Sequence, residues 1–273
     1  MKLARFESDG GTVLTGRMVG PRAAQPLVGE LFGEMAFATD VVGVRRFLPP
    51  VEPPNIFAIG RNYRAHAAET GSQIPEKPLI FMKATTAVIG DGDAIVLPAS
   101  APQAVDYEAE LAIVIGRRAR RLGEAEALEH VLGYTCANDV SARDCQRDDK
   151  QWSRAKGFDT FCPIGPWLVT ADEVNPAGLR VRSRLNGEVM QDANTADMIH
   201  SCATLVSYLS HQFTLLQGTV ILTGTPEGVG MARTPPVYLA AGDRIEVEID
   251  GVGLLRNVVV SDQAEPAPLP RAK

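Results

Sequence analysis

The chain has 273 residues, enough for one large domain with a smaller companion. A chain this long buries about 70–75% of its unfolded surface, so it needs no disulfide staple. Hydrophobic residues at 45% and charged ones at 22% exclude a disordered chain, and a net charge of −6 disfavours a nucleic acid or an anionic membrane as partner.

Residues 1–48 carry short strand-like pieces, Leu3–Phe6 and Thr12–Val19, and predict a small N-terminal β domain. Pro49-Pro50-Val51-Glu52-Pro53-Pro54 suits neither a helix nor a central strand and predicts a linker over 49–54. A denser pattern over 55–265 predicts the main domain. Strands are expected at 55–60, 79–83, 94–97, 105–115, 132–138, 163–169, 179–185, 219–223, 244–249 and 253–260. Asn186-Gly187 and Asp250-Gly251 lie between strand-like runs and signal hairpins. Helices are expected near 62–70, 124–131, 141–150 and 199–213. In the last, Ile199, Ala203, Val206, Leu209 and Phe213 share one face. The 25 glycines and 19 prolines exceed the roughly 12% of average usage and also point to strands and turns. Because strands outnumber helices without regular alternation, the expected class is α+β, strand-rich.

Charge arrives too early in Met1–Asp9 for a signal peptide, and no apolar run reaches the ~18–20 residues of a membrane span. A cytoplasmic, soluble protein is expected. Cys136, Cys145, Cys162 and Cys202 lack zinc or redox spacing and predict reduced, mostly buried thiols. Arg117, Arg118, Arg120 and Arg121 predict a solvated turn. No dinucleotide or nucleotide-binding glycine loop, GxSxG or HExxH is present, which disfavours an oxidoreductase and the usual nucleophile and zinc chemistries. With only four histidines, any bound metal should take oxygen ligands.

Two groupings carry candidate chemistry. Glu108 and Glu110 lead into the apolar run Leu111–Ile115, and on a strand they share one face with Cα atoms about 6.5 Å apart. Their repulsion in a buried setting is relieved by a hard divalent ion, with Asp139, at the end of another apolar run, as third ligand. The same spacing equally suits two strand-edge charges facing water. His66 and Glu69 stand at i and i+3 on a short helix, which suits a histidine base oriented by a carboxylate and equally an incidental surface pair.

GRNYRAHAAE (60–69), PLIFMKATTAVIG (78–90), VDYEAELAIVIG (105–116), YTCANDVSARDCQ (134–146), KGFDTFCPIGPWLVT (156–170), LNGEVMQDANTADMI (185–199) and ILTGTPEGVG (221–230) follow one another in a recognisable order. From about Asn55 to Val260 the chain resembles the fumarylacetoacetate hydrolase family, most of all its domain-containing and 2,4-dioxo-acid hydrolase subgroup. The resemblance implies a mixed β-roll fold, a homodimer and a Mg²⁺ or Mn²⁺ enzyme acting on a small 2-oxo acid. It implies Glu108, Glu110 and Asp139 as metal ligands, His66 and Glu69 as a water-activating dyad, and Lys156 as a catalytic, positively charged residue facing substrate and metal. Arg143, Gln146, Thr225 and, more faintly, Lys83 would hold the substrate, with a variable loop Arg147–Trp152 beside them. The expected activity is hydrolysis of a C–C bond in an acylpyruvate-type acid. Oxaloacetate decarboxylation or isomerisation of a 2-hydroxy-dienoate uses the same site, and a non-catalytic relative is the remote alternative.

Overall fold

In the computed structural model, which describes residues 1–262, an eleven-stranded sheet organises the chain. The expected main domain therefore has its last three residues, 263–265, outside the described part. At the sheet's centre lies Ala109–Ile115, antiparallel to Val131–Asn138 on one side and to Val220–Leu222 on the other. Cys162–Thr170 and then Lys2–Ser8 continue the first side. Ile56–Gly60, parallel to Val220–Leu222, and then Leu79–Lys83 continue the second. A five-stranded sheet runs Glu188–Asn194, Arg180–Leu185, Arg244–Ile249, Gly253–Ser261, Ala94–Leu97. The α+β class and strand-rich content follow expectation.

All seven residues of Ala109–Ile115 are buried because the strand serves two cores. Ala112 and Val114 pack with Ile56, Ala58, Ile164 and Leu222. Leu111, Ile113 and Ile115 face the opposite way, toward Phe57, Val206 and Val247. A slip of one residue would exchange the two faces, so this register is strongly specified. It also assigns Glu110 to the face of Ala112 and Val114.

The first 48 residues hold four strands, Lys2–Ser8, Val13–Gly20, Ala23–Pro26 and Val42–Leu48, around a cluster of Ala4, Phe6, Ala24, Val44 and Phe47. Lys2 and Leu3 pair with Val169 and Leu168, so these strands extend the large sheet. Residues 49–54 contain neither strand nor helix.

Several boundaries differ from expectation. The run 105–115 breaks at Tyr107 and Glu108, where the Asp106 carboxylate accepts the Tyr107 N–H (2.9 Å) and the Asn138 side chain accepts the Glu108 N–H (2.9 Å). Val105–Asp106 pairs instead with Ser141–Ala142, so helix α3 begins only at Arg143 and runs to Asp149. Lys150, at φ 60°, ends it, and α4, Trp152–Gly157, which the sequence did not predict, begins at the last residue of the expected loop. The remaining helices are α1 (Arg64–Glu69), α2 (Glu124–Ala127) and α5 (Cys202–Gln212). Ser201 caps α5 by accepting the Thr204 N–H (3.1 Å), while the Ile199 N–H is taken by Asn62 O (2.7 Å), outside the helix. Asn186 and Gly187 both adopt positive φ, as a two-residue hairpin turn requires, and Glu188–Asn194 is the returning strand of that signalled hairpin, though no strand was expected over those residues by range. All four cysteines are buried and free. Among the described residues no helix is long and apolar enough to cross a membrane.

Candidate active site

Antiparallel pairing brings the acidic groups together. Ala109 lies opposite Asn138, so the start of one central strand meets the end of its neighbour, and the Asp139 N–H donates to Glu108 O (2.9 Å). Glu108, Glu110 and Asp139 are all buried, and an oxygen from each lies within 4.8 Å of the others.

Three buried cations surround them. Lys156, from α4, donates to Glu108 Oε2 (2.6 Å) and Asp139 Oδ2 (2.8 Å). Lys83, at the end of its strand, donates to Asp139 Oδ1 and to Val140 O. Arg143, at the start of α3, places Nη2 2.7 Å from Glu108 Oε1, and its Nε donates to Asp106 Oδ2 (2.8 Å). Asp106 is held in turn by the N–H groups of Gly230 (2.7 Å) and Met231 (3.0 Å).

Four carboxylates thus face three cations, and the excess negative charge falls on Glu110. Burial opposes ionisation of Glu108, but Lys156, Arg143 and His66 outweigh it and hold its carboxyl below the usual range. Glu110 receives one N–H, from Gly224 (2.6 Å). Burial first, and then the charges of Asp139 and Glu108, push its carboxyl well above the usual range. Three converging carboxylates with one starved of positive charge are a hard-oxygen donor set that could hold a divalent metal ion.

A second group lies across the cavity. His66 Nδ1 stands 2.8 Å from Glu69 Oε1, while Glu69 Oε2 accepts the Gly228 N–H (2.9 Å). Gly228 has φ +95°, and a Cβ there would stand 2.2 Å from Met190 O, so only glycine lets this turn come close enough.

Of the sequence-expected residues, His66, Glu108, Glu110, Arg143, Gln146, Lys156 and Thr225 line one cavity of about 320 Å³. Asp139, Glu69 and Lys83 stand behind its surface. Lys83 was expected beside the substrate. Its fully buried ammonium instead braces Asp139, because its strand ends beneath the triad. The Gln146 side-chain oxygen accepts from Arg143 Nη1 (2.9 Å). The Thr225 hydroxyl donates to Ala109 O (3.1 Å) and accepts from Gln191 Nε2 (2.8 Å), so its proton is already engaged.

Sequence reasoning missed Asp106, Asn62, Gln191 and Arg61. Asp106 could have been found, since it stands two residues before Glu108 in the same acidic stretch. Buried Asn62 donates to His200 O (3.0 Å) and Thr223 O (2.7 Å) and accepts the His200 N–H (2.8 Å), which ties the turn before α1 to two distant segments. Nothing local marks it.

Comparison with known proteins gives this arrangement a context. The family model described as fumarylacetoacetate (FAA) hydrolase C-terminal matches residues 55–260. Oxaloacetate tautomerase FAHD2A of Bos taurus, a mitochondrial protein, is 47% identical over 218 residues, covering 78% of this chain and 69% of that one. The structure of 2-hydroxyhepta-2,4-diene-1,7-dioate isomerase from Mycobacterium marinum shares 40% identity at a TM-score of 0.85, covering 97% of this chain and 100% of that one. Fumarylacetoacetate hydrolase from psychrophilic Exiguobacterium antarcticum shares 39% at 0.83, covering 96% and 99%. With the family model spanning most of its length and the fold shared almost end to end, the chain belongs to the fumarylacetoacetate hydrolase family.

Proposed function

We propose that this chain is a divalent-metal enzyme that enolises a small 2-oxo acid, moving a proton between the carbon next to the 2-oxo group and the 2-oxo oxygen. The observation that carries this reading is the buried triad Glu108, Glu110 and Asp139, whose two glutamates line the same cavity as His66. Mg²⁺ or Mn²⁺ held by the triad would supply Lewis acidity toward the carboxylate and 2-oxo oxygens of the substrate.

The chain's own groups do the rest. Burial disfavours a charged Lys156, but Asp139 and Glu108 outweigh it and raise its pKa, so it stays an ammonium. With Arg143 it balances the negative charge that develops as the enolate forms. Glu69 accepts from His66 Nδ1–H, which leaves Nε2 as the basic nitrogen. That nitrogen takes the proton from carbon and returns it to oxygen, while Glu69 stabilises the transient imidazolium. The bovine tautomerase and the M. marinum isomerase bear names for reactions of this proton-shifting kind.

Hydrolysis is the second reading, and the His66–Glu69 pair favours it. The same base would take a proton from water, whose oxygen attacks the distal carbonyl of a 2,4-dioxo acid. The C–C bond then breaks, and the electron pair leaves on a pyruvate enolate. The Exiguobacterium relative is named for hydrolysis.

One experiment separates these outcomes. Oxaloacetate keto–enol interconversion is followed by enol absorbance, and acetylpyruvate by NMR, each with Mg²⁺, Mn²⁺ or EDTA. Metal-dependent interconversion above the free-ion rate is expected. Pyruvate plus acetate from acetylpyruvate would select hydrolysis, and pyruvate plus CO₂ from oxaloacetate a decarboxylase. Silence in every arm overturns the reading.

A further inference from the structure

Five basic side chains line the cavity: Arg61, His66, Arg143, Arg147 and Lys156. Four have a carboxylate partner, three of them buried and Arg147 only on the surface. His66 pairs with Glu69, Arg143 with Asp106 and Glu108, Arg147 with Asp148, and Lys156 with Glu108 and Asp139. Arg61 alone has no carboxylate partner among the described residues. It is half-buried and lies between the strand Ile56–Gly60 and α1.

Its backbone carries a second signal. Arg61 adopts φ 57°, a left-handed conformation that L side chains adopt at a cost. The turn cannot relax, because the next residue, Asn62, is pinned by its three hydrogen bonds to His200 and Thr223. A strained position that glycine would fill without cost is instead occupied by an arginine on the cavity wall. Its charge meets no carboxylate among the described residues.

We infer that Arg61 is the specificity-determining residue that receives the distal carboxylate of a 2-oxo dicarboxylic substrate. An unpaired guanidinium offers two parallel N–H donors to a carboxylate, a geometry lysine does not reproduce. The triad, Lys156 and Arg143 take the 2-oxo acid end, and Arg61 takes the other. A monocarboxylic substrate would leave this cation facing an apolar tail. The inference rests on the proposed 2-oxo acid reading and narrows it. Oxaloacetate and heptadienedioate, in the names of two relatives, are both dicarboxylic.

The test is equilibrium binding to the Mg²⁺-loaded protein of two unreactive 2-hydroxy analogues, L-lactate and L-malate, which differ by the distal carboxylate. Wild type is expected to bind L-malate at least about tenfold more tightly, the scale of one charge-assisted hydrogen-bonded contact. Arg61→Gln should bring the ratio to near one while leaving L-lactate unchanged, and Arg61→Lys should keep part of it. Arg61→Gly guards against misfolding, since glycine suits φ 57°; it should fold and also lose the preference. A ratio that survives in Arg61→Gln, or equal weakening of both ligands, overturns the inference, as does failure of wild type to bind either acid. A ratio that survives in Arg61→Gln while wild type turns over oxaloacetate overturns the assignment of Arg61 alone. An Arg61-dependent ratio without turnover of any 2-oxo acid overturns the reaction and leaves the assignment standing.

Discussion

The floor of the cavity is carried by paired strands, and each of its acids except Glu110 is clasped by a cation. Its wall is carried by the six-residue α1, which has no side-chain cap, and by the strained turn before it. The floor is therefore rigid and electrostatically almost closed, which suits holding an ion in one geometry. The wall hangs on a few long-range hydrogen bonds, those of Asn62 and Glu69, and carries Arg61, which has no carboxylate partner among the described residues. Strands provide placement, while loops and short helices provide the part that can differ between substrates.

The largest expected effect comes from breaking the floor. Glu108→Ala should abolish saturable Mg²⁺ binding in a calorimetric titration and reduce turnover to background. At a hundredfold its Kd, Mg²⁺ should stabilise wild type by about 2.7 kcal/mol in urea unfolding and the variant not at all. Stabilisation that persists in the variant would mean the ion sits elsewhere.

Breaking the wall should look different. His66→Ala is expected to leave Mg²⁺ affinity unchanged and to cut kcat by roughly 10²–10⁴. A parallel loss of metal affinity would show that floor and wall are not separable.

Lys83→Met sharpens the comparison, because Lys83 touches the floor and not the cavity. Removing the ammonium leaves Asp139 without one of its two cations. It should lower metal affinity by roughly 10–100-fold and cost about 3–5 kcal/mol of stability. An altered substrate KM at saturating metal, with stability intact, would return Lys83 to the substrate side.

Ser201→Ala gives the smallest effect and a baseline, since the α5 cap is remote from both regions. About 1 kcal/mol of stability should be lost in urea unfolding, with kcat unmoved.

What could be seen in the sequence was local. The apolar run 111–115, the Asn-Gly turn at 186–187 and the face of α5 each depend on residues a few positions apart, so periodicity and turn conformation reveal them. The acidic and His–Glu groupings were visible for the same reason. Their meaning was open, because spacing alone also suits charges facing water.

Tertiary structure decided the rest. Asp139 joins Glu108 only because two strands pair with Ala109 opposite Asn138, and Lys83 and Lys156 reach the acids from elements 56 and 17 residues from Asp139 in sequence. The break at Tyr107 and Glu108 comes partly from the Asn138 side chain across the sheet, and α4 forms at Trp152–Gly157, where no helix was expected. Arg61 shows the division most plainly. Its type is written in the sequence, but its lack of a carboxylate partner among the described residues depends on where every other described charge is placed by the fold. Short-range sterics and periodicity determine elements, whereas burial and charge balance are sums over groups brought together only when the chain has folded.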